Sequence, residues 1–446
     1  MSPAGESGAT TVARRLADDT LLVFLSDCHI GGDRGRDIFE SPDDLAALFD
    51  ELAARSGPLE LVLAGDFFDC LRIGSVPRGA NRVSATIGRP EYREVFAALD
   101  RLAAGKGARV VYMPGNHDAE VWWNAEIRAD LERRGLVHEF ALSYAATFES
   151  APGQVVYCEH GNEFDTANMK RNYDDPLDTP LGDHIVTEII PRLPGGHAAS
   201  ALQLREIDHV FPLDTIPQWI AGRLFYTLVT QLVRWLLLPL LVAYVAFEIV
   251  AYLLGAGDRA ITELFVEIAY DIALLLAAFG VFFLVARRQA NRSIESSPAR
   301  PVEADMIRRR LEKGEPPPLA GELPGEIAVF VSGHTHAPVL AQFDRPAGGG
   351  PGVVVNSGCW LRQLQPMKAH FRAPAVFVNV FVQTHVRVSP RDGGLVVELW
   401  EHPRPSRQSM RVAERLAVAG KLPAEPPAGS PPRVRAAASV RAAPPA

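Results

Sequence analysis

Five short blocks of this chain carry side chains able to hold metal ions and act on a phosphorus centre. They are Asp27-Cys28-His29, Gly65-Asp66-Phe67-Phe68-Asp69, Gly115-Asn116-His117-Asp118, Glu159-His160-Gly161-Asn162 and Gly333-His334-Thr335-His336. The donors are carboxylates, imidazoles and one amide oxygen, without a cluster of thiols. Such a set suits divalent Mn, Fe, Zn or Co, not a cysteine-rich structural zinc site. One carboxylate can bridge two ions about 3.5–4 Å apart. Two ions that close activate a water for in-line attack on phosphorus and neutralise charge growing on the phosphoryl oxygens. Any one of these histidines taken alone would more often be structural; the set carries the signal.

The elements that must position these blocks are legible beside them. Each block follows an apolar run that reads as a strand: 20–25, 59–64, 108–113, 155–159 and 327–332. Further runs lie at 352–356, 376–383 and 394–400. Helical patterns occupy 42–55, 91–104 and 119–134, the first with Ser41 as N-cap and Pro42 at its first position. Strands alternating with helices indicate an α/β domain. Ligands leaving several strand ends can then converge on one sheet edge, where open α/β folds place their sites.

The five blocks, in this order, resemble the signature of the calcineurin-like metallophosphoesterase superfamily. The resemblance covers residues 20–165 and 327–400 and implies an αββα sandwich. It implies that Asp27, His29 and His336 hold one metal, that Asp66 bridges, and that Asn116, His160 and His334 hold a second. The expected cofactors are two divalent ions, Mn first, with Fe, Zn or Co as alternatives. The resemblance further implies that His117 sits beside the scissile phosphate as the catalytic imidazole and that Asp118 orients its ring. Asp69 would support the ligands from behind. Asn356-Ser357-Gly358 is similar to a segment some members carry, and reads as a structural turn lining the site. Beyond His160, residues Asn162, Asp165, Asn168, Lys170 and Arg171, with Arg72 after the second block, are candidates for gripping substrate phosphates. A solvated surface run is the competing explanation for them. Motif order and insert position also resemble the UDP-2,3-diacylglucosamine pyrophosphatase branch. The chain departs from that branch at His117, where Arg is usual there, and in the length of its insert.

Composition bounds the remaining choices. The net charge of −8 argues against a nucleic-acid binder that works by bulk positive charge, and no nucleic acid is expected as partner. Four cysteines, in no CxxC pair, fit reduced thiols in a cytosolic domain. The first thirty residues lack a basic region followed by an apolar core, so no secretory signal is expected. The mean hydropathy of +0.04 hides a strong segregation. Residues 235–254 and 268–286 are nearly all apolar, with Glu248 and Asp271 as their only charges. Twenty helical residues span about 30 Å, the thickness of a bilayer's hydrocarbon core.

The expected organisation is therefore a loose N-terminus over 1–19, the first part of the catalytic domain over 20–165 and a polar insert over 166–216. A hydrophobic hairpin follows over 217–292, a linker over 293–326, the second part of the domain over 327–402 and a disordered basic tail over 403–446. That tail carries eight Lys/Arg against two Glu. Three explanations compete for the apolar pair: two membrane spans, a hairpin dipping into one leaflet, and a buried core pair. Two spans return the chain to its starting side, which the split metal site requires. Arg223 and Arg234 precede the first span, Arg287, Arg288 and Arg292 follow the second, and only Arg259 lies in the connection. The positive-inside rule then puts the catalytic domain in the cytoplasm, anchored in the inner membrane. Trp219, Tyr226 and Trp235 are candidates for the membrane interface, and Pro239 for a kink. The expected activity is hydrolysis of a phosphate ester or pyrophosphate on a lipid-linked substrate, with membrane lipid as partner. A tethered phosphodiesterase or phosphatase for soluble nucleotides is the alternative, and a non-catalytic scaffold a third, disfavoured because all seven ligands are present.

Overall fold

The structure is a computed structural model that describes residues 11–189, 192, 204–255, 260–295, 303–346 and 350–441. Two sheets face one another. The first contains β1 (Thr11–Leu16), β6 (Ser143–Phe148), β7 (Ala151–Glu159), β8 (Glu326–Ser332), β9 (Val339–Asp344) and β10 (Pro351–Asn356), ordered β1-β6-β7-β8-β10-β9. The second contains β2 (Leu21–Leu25), β3 (Leu59–Ala64), β4 (Ala108–Met113), β5 (Glu139–Phe140), β12 (Val376–Arg391), β13 (Gly394–Glu401) and β14 (Arg433–Val440), ordered β14-β13-β12-β2-β3-β4-β5. A further strand, β11 (Trp360–Met367), pairs with β12.

The inner strands are apolar on both faces because each face is covered. β3 is buried along its whole length. Its Val62 and Ala64 face Tyr144, Val156, Val329 and Val355 of the other sheet. Its Leu61 and Leu63 face helices Pro42–Ala53 and Arg93–Ala103, which offer Leu45, Phe49, Val95 and Leu99. Helix Glu303–Glu312 covers the first sheet's outer face with Ile307 and Leu311 against Phe330 and Val354. The result is the expected αββα sandwich. Each fully buried Val or Leu contributes about 1.5–3 kcal/mol of transfer free energy. Because β2, β3 and β4 run parallel, as do β7, β8 and β10, their carboxyl ends gather at one edge.

Two segments expected to be loose are ordered in part. β1 lies within 1–19 and pairs with β6, burying Val12 and Leu16 at alternate positions. β14 lies within the tail and pairs with β13, burying Val440. Both are rich in Arg and Ala, so their period-two pattern is faint in composition, and pairing with an existing sheet edge supplies the stability. Residues 1–10 and 442–446 lie outside the described residues.

The apolar pair forms two long helices. One runs unbroken over Leu213–Leu253, and another covers Ile261–Glu295. The first has a π turn at Val233–Leu237. It sits just before Pro239, which has no N–H to give back to the preceding turn. Both helices are long and apolar enough to cross a membrane, and their apolar windows are unburied by protein. The competing explanation of a buried core pair does not fit these bare windows.

The root of the hairpin differs from expectation. Helix Ile216–Leu232 packs on the catalytic domain: Trp219 is fully buried against Leu364 and Phe377, and Tyr226 is buried with its hydroxyl donating to the Pro374 carbonyl at 2.6 Å. Neither lies at a membrane interface, whereas Trp235 is 71% exposed. Arg223 is likewise buried, 2.8 Å from Glu206 and 3.6 Å from Glu414. The second apolar stretch is only partly bare, because Phe279 and Phe283 pack on Phe225 of the root. Tyr244 donates to Asp271 between the two helices. Arg259 and the side chains of Arg287 and Arg292 lie outside the described residues.

Candidate metal centre

The carboxyl ends of β2, β3, β4, β7 and β8 deliver the five blocks to one place. Asp27, His29, Asp66, His334 and His336 all have φ between 51° and 63°. Non-glycine residues rarely adopt this left-handed conformation, and its concentration at one edge marks a functional constraint. Backbone bonds hold the turns: Asp27 N–H donates to the Gly65 carbonyl at 3.0 Å, and His29 N–H to that of Asp66 at 2.9 Å. Gly115 and Gly65 are needed for close approach. A Cβ on Gly115 would lie 2.2 Å from Asp66 Oδ1, and one on Gly65 2.2 Å from His160 Nδ1.

Three sets of side chains bring their donor atoms within 4.8 Å of one another: Asp27, His29 and His336; His29, Asp66 and His117; and Asp66, His160 and His334. The sets share His29 and Asp66, so they form one continuous cluster. His336 Nε2 lies 3.1 Å from Asp27 Oδ1, and His160 Nε2 lies 3.2 Å from Asp66 Oδ2. His334 Nε2 lies 3.4 Å from Asp165 Oδ2.

The fit to a metal can be tested on orphaned atoms. His160 Nδ1–H donates to the Ala64 carbonyl at 2.9 Å, which turns Nε2 into the cluster as an acceptor. That Nε2 and Asn116 Oδ1 are both buried without a hydrogen bond. Two buried acceptors without a donor, one of them 3.2 Å from Asp66 Oδ2, call for a cation. Burial opposes a charged imidazole, yet Asp66 and Asp27 hold the proton affinity of His160 well above the ordinary value, so the cluster favours a positive charge, proton or metal, at that nitrogen.

Asp69 proves to be the hub behind the cluster. It accepts from His29 Nδ1 at 3.2 Å, His117 Nδ1 at 3.0 Å and Arg72 Nε at 2.9 Å. Despite burial, Asp69 and Asp66 raise the pKa of His117 to about 9. Asp118 was expected to orient the His117 ring and does not. Its carboxylate accepts the backbone N–H groups of Phe67 at 2.9 Å and Gly115 at 2.6 Å, and the Tyr112 hydroxyl. It therefore ties two ligand-bearing turns together, and its neighbour in sequence is oriented by Asp69 instead. Asn356 clamps a third turn through the Gly333 carbonyl and Thr335, as a structural turn should.

The expected phosphate-gripping residues divide. Lys170 and Asn116 line a cavity of ≈ 340 Å³ beside His117, together with Arg36, Arg78 and Arg82. Arg72 is turned away from it, 2.9 Å from Asp69 and 3.1 Å from Asp208. Asn162 is fully buried and accepts from the Tyr173 hydroxyl at 3.0 Å. Asn168 is held by Asp165 at 2.7 Å, and Arg171 lies exposed. Arg72 and Asn162 are thus corrected to framework roles. Arg36, Arg78 and Arg82 lie outside every motif, so spacing alone offered no signal for them.

Residues 20–219 match the family model of the calcineurin-like phosphoesterases. The chain carries a calcineurin-like phosphoesterase domain. That domain indicates a phosphoester hydrolase, and its Asp/His groups could hold the divalent metals such domains use. The match takes in residues 166–219, which the motif resemblance left outside the domain, and ends before the His334 block. No curated protein matches the chain.

Proposed function

We propose that this calcineurin-like phosphoesterase is anchored in the inner membrane, faces the cytoplasm and hydrolyses a phosphate ester or pyrophosphate on a lipid-linked substrate. The carrying observation is the hairpin. Trp235, Phe247, Leu253 and Tyr270 are each more than two-thirds exposed, on helices with no buried residue in their apolar windows. So long an apolar surface is not stable in water, whereas hydrocarbon accepts it. From Val229, the last buried residue of the root, to Leu253 is about 36 Å of helix, enough to span.

In this reading Asp27, His29 and His336 would hold one divalent ion and Asn116, His160 and His334 a second, with Asp66 available to both. Mn is the first choice, and the oxygen and imidazole donors suit Fe, Zn or Co as well. When bound, such a pair supplies an activated water and neutralises phosphoryl charge. The chain's own residues do the rest. His117, kept protonated by Asp69 and Asp66, donates to the leaving oxygen. Asp69 fixes that ring and the ring of His29. Arg36, Arg78, Arg82 and Lys170 line the adjoining cavity among Glu120, Asp183 and Glu188, a mixed wall in which Arg36 and Arg78 are the cations offered to an anionic headgroup.

The test replaces residues 236–276 by a short Gly/Ser connection, which keeps the packed root and the Phe225–Phe283 contact. The full chain should cleave phospholipid esters in vesicles faster than p-nitrophenyl phosphate, and the shortened chain should lose that preference. Equal preference in both chains contradicts the lipid assignment and favours a tethered enzyme for soluble nucleotides.

A further inference from the structure

The segment that leads into the hairpin touches the metal centre before it reaches the root helix. The Phe211 ring lies 4.9 Å from that of His336, with the planes 14° apart. Three residues earlier, Asp208 accepts from Arg72 at 3.1 Å, and Arg72 donates onward to Asp69 at 2.9 Å. Asp69 in turn holds His29 and His117. The segment is stitched in place by β11: His209 donates to the Arg362 carbonyl at 3.2 Å, and Phe211 N–H to that of Leu364 at 2.9 Å. Five residues on from Phe211, the helix that becomes the hairpin begins at Ile216. Where the chain returns from the hairpin, Glu303 is buried against the turn after His160; a Cβ on Gly161 would lie 2.7 Å from Glu303 Oε1.

Phe211, Asp208 and Glu303 themselves belong to no ligand motif. We propose that the root of the hairpin is built into the metal centre, with Phe211 and Asp208 as positioning residues: Phe211 fixes the ring plane of His336, and Asp208, through Arg72, fixes Asp69. The physical case is that a metal-ligating imidazole has one productive ring orientation, and the groups packed and bonded behind it set that orientation. A flat aromatic stacked on one face of His336 leaves that ring a single plane. Arg72 is 4% exposed and forks between two carboxylates, so releasing one end frees a buried cation to drag the other. One consequence is that the site is held at a fixed height and angle over the membrane surface. This inference rests on the two-metal reading above, and the experiment separates the two.

The full chain is purified as wild type, Phe211→Leu, Phe211→Tyr, Asp208→Asn and Asp66→Asn, and loaded with Mn²⁺. Electron paramagnetic resonance reads the coupled Mn²⁺ pair, and kinetics use p-nitrophenyl phosphate. Phe211→Leu and Asp208→Asn should weaken Mn²⁺ binding and lower kcat by roughly 10-fold or more while KM stays within about two-fold, the pattern of lost positioning. The coupled-pair spectrum should change in both, and Phe211→Tyr, which keeps the ring, should restore it. Wild-type kcat, Mn²⁺ affinity and spectrum in a folded Phe211→Leu and in Asp208→Asn overturn the inference. Should Phe211→Leu not fold, Asp208→Asn decides alone. A wild-type protein with no coupled pair, or an Asp66→Asn protein that keeps one, overturns the two-metal reading itself.

Discussion

The metal edge and the hairpin break the same rule in opposite directions. At the metal edge Asp27, His29, Asp66, Asp69 and His160 are charged or polar and essentially fully buried. In the hairpin Trp235, Phe247, Leu253 and Tyr270 are large, apolar and exposed. A buried polar group and a bare apolar face each point to a counterpart of definite chemistry. For the first it is a cation, since the facing atoms are nearly all acceptors. For the second we propose hydrocarbon, since both helices are long and apolar enough to cross a membrane. Between the two lies the root helix, buried on one side like any core helix. Its Trp219, Tyr226 and Val229 follow the spacing of a half-buried helix, and only beyond them does the exposure become all-round.

The comparison can be broken most sharply at its polar end. Asp66→Asn removes a carboxylate shared by two ligand sets, and kcat/KM should fall by roughly 10³-fold or more, about 4 kcal/mol of transition-state stabilisation. A fall under ten-fold would remove Asp66 from the centre. The next largest effect belongs to the root. Trp219→Ala empties a fully buried site and should cost about 3–5 kcal/mol of stability, read by denaturant unfolding. A smaller effect is expected for Asp69→Asn, which leaves the ligands in place but loosens His29 and His117. Metal affinity or kcat should drop about 10–100-fold, whereas the structurally placed Asp118→Asn should act on stability more than on kcat. The smallest effect falls on Trp235→Ala. The same residue type as Trp219, it should change the stability of the folded domain by under ~0.5 kcal/mol, while weakening partition into vesicles. Equal stability losses at Trp219 and Trp235 would erase the distinction between root and hairpin.

Much of this was legible in the chain itself. The strands that end on ligands are continuous apolar runs, and β3 and β4 fall where the runs fall, because buried parallel strands need apolar side chains on both faces. The five blocks were legible because turns that expose ligands need short, ordered patterns. The less legible parts depend on contacts between distant residues. Asp118 adjoins His117 in sequence, yet the carboxylate that orients the ring is Asp69, forty-eight residues away. Arg72 follows a ligand block, yet it faces Asp208. Trp219 was open to reading as interfacial because an amphipathic aromatic suits both a core and a headgroup layer. β1 and β14 were hidden by Arg and Ala, residues whose place in a strand is set by the partner strand more than by propensity.

The most direct test of the central claim is the metal content of the purified full chain. Elemental analysis after loading with Mn²⁺ and removal of excess should give two equivalents per chain for the wild type and at least one fewer for Asp66→Asn. A wild type that retains no divalent metal, or an Asp66→Asn protein that retains as much as the wild type, would contradict the account.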